Sequence, residues 1–291
     1  MNHNRNPGSQ IHVQRNERTR RDWQSYAQHR REVTRIVMDA GKCDSPDRTL
    51  AILGAGNGND LDLESLATRY RSITLIDLDA AAVHHCLSNL SALVRKQIDV
   101  IAPLDLSGIL DDLAKISPGN SALTDDAVDV NVGELITRAS QVPITDLPSW
   151  DVVVSTCLIS QIMDSIHQHI PPSHPRSAEV VLAAREGHLR LLSRLTRPGG
   201  VSILITDVVS SDTLPELPLV DSSRLTEVLS AAISARNFFT GLNPVVLINK
   251  LSAQSDPTIR STVTHPPWRW NLGDRCYAVV AIQADRIGAE V

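Results

Sequence analysis

Five short runs along the chain are continuously apolar: TLAIL at 49–53, SITLID at 72–77, QIDVIA at 97–102, WDVVVS at 150–155 and GVSILIT at 200–206. They are rich in Val, Ile and Leu, and read as strands covered on both faces. Between them, LESLATRY, AAAVHHCLSNLSALVR and GHLRLLSRLT carry apolar residues at helical spacing. Strands alternating with helices predict crossover units and a parallel sheet, hence a doubly wound α/β fold. Ahead of the first strand, Trp23, Tyr26, Val33, Ile36 and Val37 predict a helix over 22–40, stopped at Gly41. Residues 107–148 are too long for a simple connection and hold the helical patterns ILDDLAKI and VGELITRASQ, so they read as an insertion after the third strand. Further on, Asp221 is expected to cap SSRLTEVLSAAISAR, and Asn243-Pro244 to start VVLINKL. STVTHPPWRWNL and RCYAVVAIQA predict a terminal antiparallel strand pair joined at Gly273-Asp274.

Composition narrows the class. With 42% hydrophobic and 21% charged residues, the 291-residue chain has the balance of a globular protein with a sizeable core. A net charge of -5 gives no overall pull toward nucleic acid or anionic membrane. The four cysteines (Cys43, Cys86, Cys157, Cys276) are scattered without a CxxC pair, against a zinc site or disulfide framework. No run reaches the roughly 18 residues of a membrane-spanning helix, and the polar start is not a secretory signal; a cytoplasmic location is the expectation. Residues 1–21, with five arginines and one glutamate, predict a mobile basic leader before a domain at 22–291. Arginines attract phosphate, but no aromatic stacking platform accompanies them, against a nucleic-acid-binding arm.

The candidate chemistry lies in LAILGAGNGNDLDL, where Gly54, Gly56 and Gly58 follow a buried strand and precede a helix. Ligands of open parallel sheets bind beyond the strand ends at the switch point. Nineteen residues after Gly58, Asp77 ends the second strand, where a carboxylate can accept both hydroxyl protons of a ribose. The dinucleotide fingerprint GxGxxG would need a third glycine at Asn59. A nicotinamide oxidoreductase is therefore the weaker alternative, and a nucleoside with a short zwitterionic tail the better fit.

The chain here resembles the class I S-adenosylmethionine-dependent methyltransferases, with their Rossmann-like fold. ILGAGNG looks like their first motif and LIDLD like their ribose-binding strand end. APLDL at 102–106, WDVVVSTCLISQI and LTRPGGVSILITD resemble their adenine segment, fourth strand and PGG turn with fifth strand. The resemblance spans about Leu50 to Asp207. It implies a cofactor seat of Gly54, Ala55, Gly56, Asn57, Asn59, Asp77, Leu78, Asp105, Leu106, Ser155 and Thr156 for S-adenosylmethionine. Methyl transfer to an unidentified small-molecule acceptor is the implied activity; a non-catalytic binding protein of the same fold is a further alternative. Where the family often has an acid for the cofactor's ammonium, this chain has Ile52; Asn57, Asn59 or Asp60 could replace it.

Other residues carry competing readings. Asp105 suits either the adenine amine or a plain turn, and Asp79 a helix cap. Asp60, Asp62 and Glu64 read as helix-start acids rather than a cation site, and no metal site is expected from His167, His169 and His174 in a proline-rich loop. Cys157, with Thr156, Ser160 and Gln161, sits in the loop after strand 4; a packed thiol is favoured over a nucleophile. Tyr26, His29 and Arg30 either face the acceptor or simply pack the first helix. His29 is the candidate general base, with Tyr26, Arg30, Cys157 and Gln161 the acceptor contacts. Trp268 and Trp270 share one strand face and are expected to be buried. The insertion is a candidate substrate cover.

Overall fold

The computed structural model describes residues 7–41, 47–116, 125–142 and 146–288. Cys43 lies outside them. Seven strands form one sheet: β1 (Thr49–Leu53), β2 (Ser72–Ile76), β3 (Ile98–Ile101), β4 (Trp150–Thr156), β5 (Thr196–Ser210), β6 (Ile259–Leu272) and β7 (Arg275–Arg286). Their order is β3-β2-β1-β4-β5-β7-β6. The first five pair in parallel, and β7 inserts antiparallel between β5 and β6. The doubly wound sheet with its terminal antiparallel pair is thus present, and the strand order reverses between β1 and β4.

Alternation along β1 explains why its sequence is apolar throughout. Leu50 and Ile52 enter one core, Ala51 and Leu53 the other, and all four are fully buried. Side chains alternate across a strand, so with both faces of β1 against core its residues 50–53 are all apolar. β3 departs from this expectation: as an edge strand it leaves Asp99 and Val100 exposed.

Eleven α-helices lie among the described residues. In chain order they are α1 (Pro7–Thr19), α2 (Ala27–Asp39), α3 (Leu63–Leu66), α4 (Ala80–Ser88), α5 (Ala92–Arg95), α6 (Leu110–Ile116), α7 (Asp125–Gln141), α8 (Leu158–His169), α9 (Ser177–Leu195), α10 (Leu225–Ser234) and α11 (Pro244–Lys250). Asp79 caps α4 through bonds from Ala81 and Ala82 amides, and Asn243 caps α11 ahead of its first-turn Pro244. Asp221 makes no side-chain cap; α10 begins later, at Leu225. The first predicted helix starts five residues late, because 22–26 form turns and Tyr26 offers no capping side chain.

One expectation is corrected: residues 7–19, expected as part of a mobile leader, are the helix α1. The insertion supplies α6 and α7; α6 packs on α1, with Leu110 at its start bordering the cavity described below, while α7 packs on α9. Gly187 in α9 permits that contact: a Cβ there would stand 1.9 Å from the Ala139 carbonyl oxygen. Gly to Ala in a helix interior ordinarily stabilises by up to about 1 kcal/mol. Here Gly187→Ala is expected to lower the melting temperature by driving α7 off α9. A variant as stable as the parent, or more so, would contradict this packing.

Candidate functional site

The turn after β1 is built by backbone demands. Gly56 has φ +47 and Gly58 φ +71, a region side chains rarely adopt. A Cβ on Gly58 would also fall 2.3 Å from Cys86 Sγ of α4, so the third glycine of GxGxG serves helix packing. The Gly56 amide donates to Asp77 Oδ2 at 2.7 Å, and the Asp79 amide to Asp77 Oδ1 at 2.7 Å. Asp77 faces the bend across the ends of β1 and β2. Burial raises its pKa from 3.8 to about 6 against the pull of those amides. Each carboxylate oxygen keeps a lone pair for a further donor.

Both residues open on a cavity of about 810 Å³ at the carboxyl ends of the strands, toward the upper end of the ~300–1,000 Å³ of small-molecule sites. Its wall brings together Gly54, Gly56, Asn57, Asn59, Asp77, Leu78, Asp105, Leu106, Tyr26, Cys157 and Gln161 from the residues singled out above. Asn57 is buried and its Oδ1 has no partner among the described residues, an acceptor awaiting a donor. Asp105 is turn and wall at once: it accepts from the Ser107 and Leu110 amides and lines the cavity.

Other candidates stand behind the wall. Ala55 is buried beneath the turn, and Ser155 Oγ turns to His188 Nε2 at 2.8 Å. Thr156 is buried with its hydroxyl toward the Gly54 carbonyl. Arg30 donates to the carbonyls of Trp23 and Asn59 and lies over the Trp23 ring, so it props the turn from outside. His29 is fully buried and does not line the cavity. Its Nδ1 accepts from Trp268 Nε1 at 3.1 Å, and its ring stacks on Trp270 with centroids 4.4 Å apart. Its Nε2 lies 3.1 Å from Asp60 Oδ1, off the line of a good hydrogen bond. That placement suits support of Asp60 rather than contact with an acceptor.

Asp60 itself lines the cavity, while Asp62 caps α3 and Glu64 accepts from the Ser91 amide. The helix-start reading therefore holds for Asp62 and Glu64, while Asp60 faces the cavity. His167 and His169 sit in the last turn of α8, not in a loop, and no metal-binding group occurs among the described residues. Burial pushes the Cys157 thiol well above its usual range, consistent with a packed thiol and not a nucleophile. Trp268 and Trp270 are both buried, as expected, and Trp270 also lines the cavity.

The sequence reading missed what α1 and the C-terminal half contribute. Asn57 Nδ2 donates to the Asn16 carbonyl at 2.6 Å, Asn59 Nδ2 to that of Thr19 at 2.8 Å, and Asn16 Nδ2 to Asp79 Oδ2 at 3.2 Å. The two asparagines of GNGN thus fasten α1 over the turn, and Asn59 does so from the position where a dinucleotide fingerprint needs glycine. His12, Arg15, Asn16, Arg18 and Thr19 join the wall, with Arg15 paired to Asp164. Burial, then Arg15, lowers His12 to about 4. From the other side come Asp207, Phe238, Phe239, Trp270, Arg275 and Tyr277.

No protein-family model matches the chain, nor does any curated protein sequence. Among solved structures it is similar to the YcgJ protein of Bacillus subtilis, at 10% identity over 89% of this chain and 100% of that one, TM-score 0.45. It is similar to a candidate S-adenosyl-L-methionine-dependent methyltransferase of Methanococcus maripaludis, at 14% identity over 100% and 99%, TM-score 0.45. An O-methyltransferase family protein of Burkholderia thailandensis shares 14% identity over 94% of this chain and 59% of that one, TM-score 0.41. The sheet itself is Rossmann-like, with its sixth position antiparallel. No helix among the described residues is long and apolar enough to cross a membrane.

If the asparagines fasten α1, Asn59→Leu should speed tryptic cleavage at Arg15, Arg18, Arg20 and Arg21 by about two- to ten-fold, the worth of one hydrogen bond. An unchanged cleavage rate would remove Asn59 from that role.

Proposed function

We propose that the chain binds S-adenosylmethionine and transfers its methyl group to a small-molecule acceptor. One observation carries the reading: a buried carboxylate, Asp77, faces a glycine turn whose backbone borders the cavity, with acceptor capacity left on both oxygens. The unpartnered Asn57 Oδ1 and the carboxylate of Asp60 fit the remaining donors of such a ligand. Asp77 would hold the ribose hydroxyls, Leu78 and Leu106 the faces of the adenine and Asp105 its amine. Asp60 would take the ammonium, in place of the acid that the chain lacks at Ile52. Bound there, S-adenosylmethionine supplies a methyl carbon activated by its sulfonium.

The chain's own task is alignment and exclusion of water. A displacement at an activated carbon gains most from holding its partners in line, where effective molarities are large. The α1 cover, tied at Asn57 and Asn59, closes the turn from solvent.

Calorimetry with S-adenosylmethionine, S-adenosylhomocysteine and NADH tests the reading. The two adenosyl ligands should bind and NADH should not. Asp77→Ala should weaken binding about ten- to a hundred-fold, as expected for hydrogen bonds to a charged group. No binding of either adenosyl ligand at millimolar concentration, or an indifferent Asp77→Ala, would refute it.

The raised pKa of Asp77 gives a pH signature. Its ionised form accepts the ribose protons, so affinity should fall as pH drops through about 6. Without ligand the sign reverses: a carboxyl whose folded pKa is raised costs stability as pH rises from about 4 to 6. Binding titrations from pH 5 to 8 should show this dependence in wild type and not in Asp77→Asn.

A further inference from the structure

The aromatic residues of this chain are few and unevenly placed. Both phenylalanines and two of the three tyrosines line the one cavity described above, and Trp270 joins them. Tyr26, Trp270 and Tyr277 form a continuous wall, with centroids 5.1 Å apart between the first two rings and 5.5 Å between the last two. Trp270 is buried and its indole N–H has no partner among the described residues.

Asp207 of β5 opens on the same space. The β5–β7 register shifts between Asp207 and Val209, an irregularity of the kind that re-aims a side chain. The Phe239 amide donates to the Val208 carbonyl at 2.8 Å, which fixes the Phe238-Phe239 segment beside that shift. Asp207 is 7% exposed. It accepts from the Ser160 hydroxyl and meets the Cys157 thiol, and no arginine or lysine among the described residues pairs with it. Burial raises its pKa above the usual carboxylate range, against the pull of the Ser160 bond and of His29, and it shares the cavity with the ring wall. Of the arginines lining the cavity, Arg15 is engaged with Asp164 and Arg275 with Asp212, while Arg18 is exposed on the α1 side.

Strand order separates this carboxylate from the adenosyl seat. Asp77 ends β2 and the glycine turn leaves β1, whereas β5 lies two strands beyond β1, past β4. A ligand with its ribose at Asp77 and adenine toward β3 extends its other end across β1 toward β4. Asp207 then lies on the far side, where the acceptor must enter.

We propose that the acceptor is an amine on a flat or aromatic scaffold, its cationic nitrogen seated on Asp207 against the rings of Tyr26, Trp270 and Tyr277. The inference rests on the cofactor reading above and names the substrate class of the same cavity. A desolvated carboxylate without a cationic partner calls for a counter-charge, and aromatic faces attract cations. A hydroxyl would bond to Asp207 but leave its charge uncompensated; a carboxylate would be repelled by Asp207 and Asp60 together. The amine gives one proton to Asp207, its freed lone pair forms the N–CH3 bond, and the electrons of the S–CH3 bond stay on sulfur.

Protein loaded with S-adenosylhomocysteine is titrated calorimetrically with 2-phenylethylamine, 2-phenylethanol and 3-phenylpropionate. The amine should bind at least about ten-fold more tightly than either isostere. Asp207→Asn should erase that preference while S-adenosylhomocysteine and 2-phenylethanol bind as before, which also shows that the variant folds. Equal or tighter binding of the alcohol or acid, no binding of the amine, or a preference that survives Asp207→Asn would overturn the proposal. Should S-adenosylhomocysteine itself not bind, the cofactor reading falls; the amine preference is then read on the unloaded protein by the same three ligands.

Discussion

The bond from the Gly56 amide to the Asp77 carboxylate ties the turn leaving β1 to the end of β2. That contact is possible only because the turn runs through φ values suited to glycine and because β1 and β2 pair in register, Leu53 beside Ile76. Burial makes the carboxylate reluctant to ionise, and the amides of Gly56 and Asp79 offset part of that cost. The result is a carboxylate held in place by two backbone amides at the floor of the cavity. Around it the cavity, the α1 cover and the aromatic wall are arranged.

The sheet was legible because its parallel strands are short, apolar and separated by helical patterns. β1 shows why: both faces are buried, so no polar residue interrupts the run. β3 was misjudged as fully covered because the pattern of an edge strand differs by only one or two exposed positions. Asp77 and the glycine turn were legible for a local reason, since their relation spans adjacent strands joined by one helix. Asp79 and Asn243 announced their caps in the same local way, whereas Asp221, with the same residue type, makes none.

What sequence reasoning could not reach was set by contacts between distant segments. Asn16 meets Asn57, and Thr19 meets Asn59, across some forty residues; nothing in an arginine-rich stretch signals that its backbone carbonyls will receive these amides. His29 was a fair candidate for a base by residue type, yet Trp268, 239 positions away, takes its Nδ1. Asp207 passed as the end of a strand, because a register shift against β7 is invisible in one sequence. The scarcity of aromatics was visible. That it conceals a concentration at one site was not.

A crystal structure of the protein soaked with S-adenosylhomocysteine tests the central claim most directly. The account predicts both ribose hydroxyls within hydrogen-bonding distance of the Asp77 carboxylate, with the amino-acid tail extending toward β4. Ligand seated elsewhere in the cavity, or an Asp77 that makes no contact with the ribose, would contradict it.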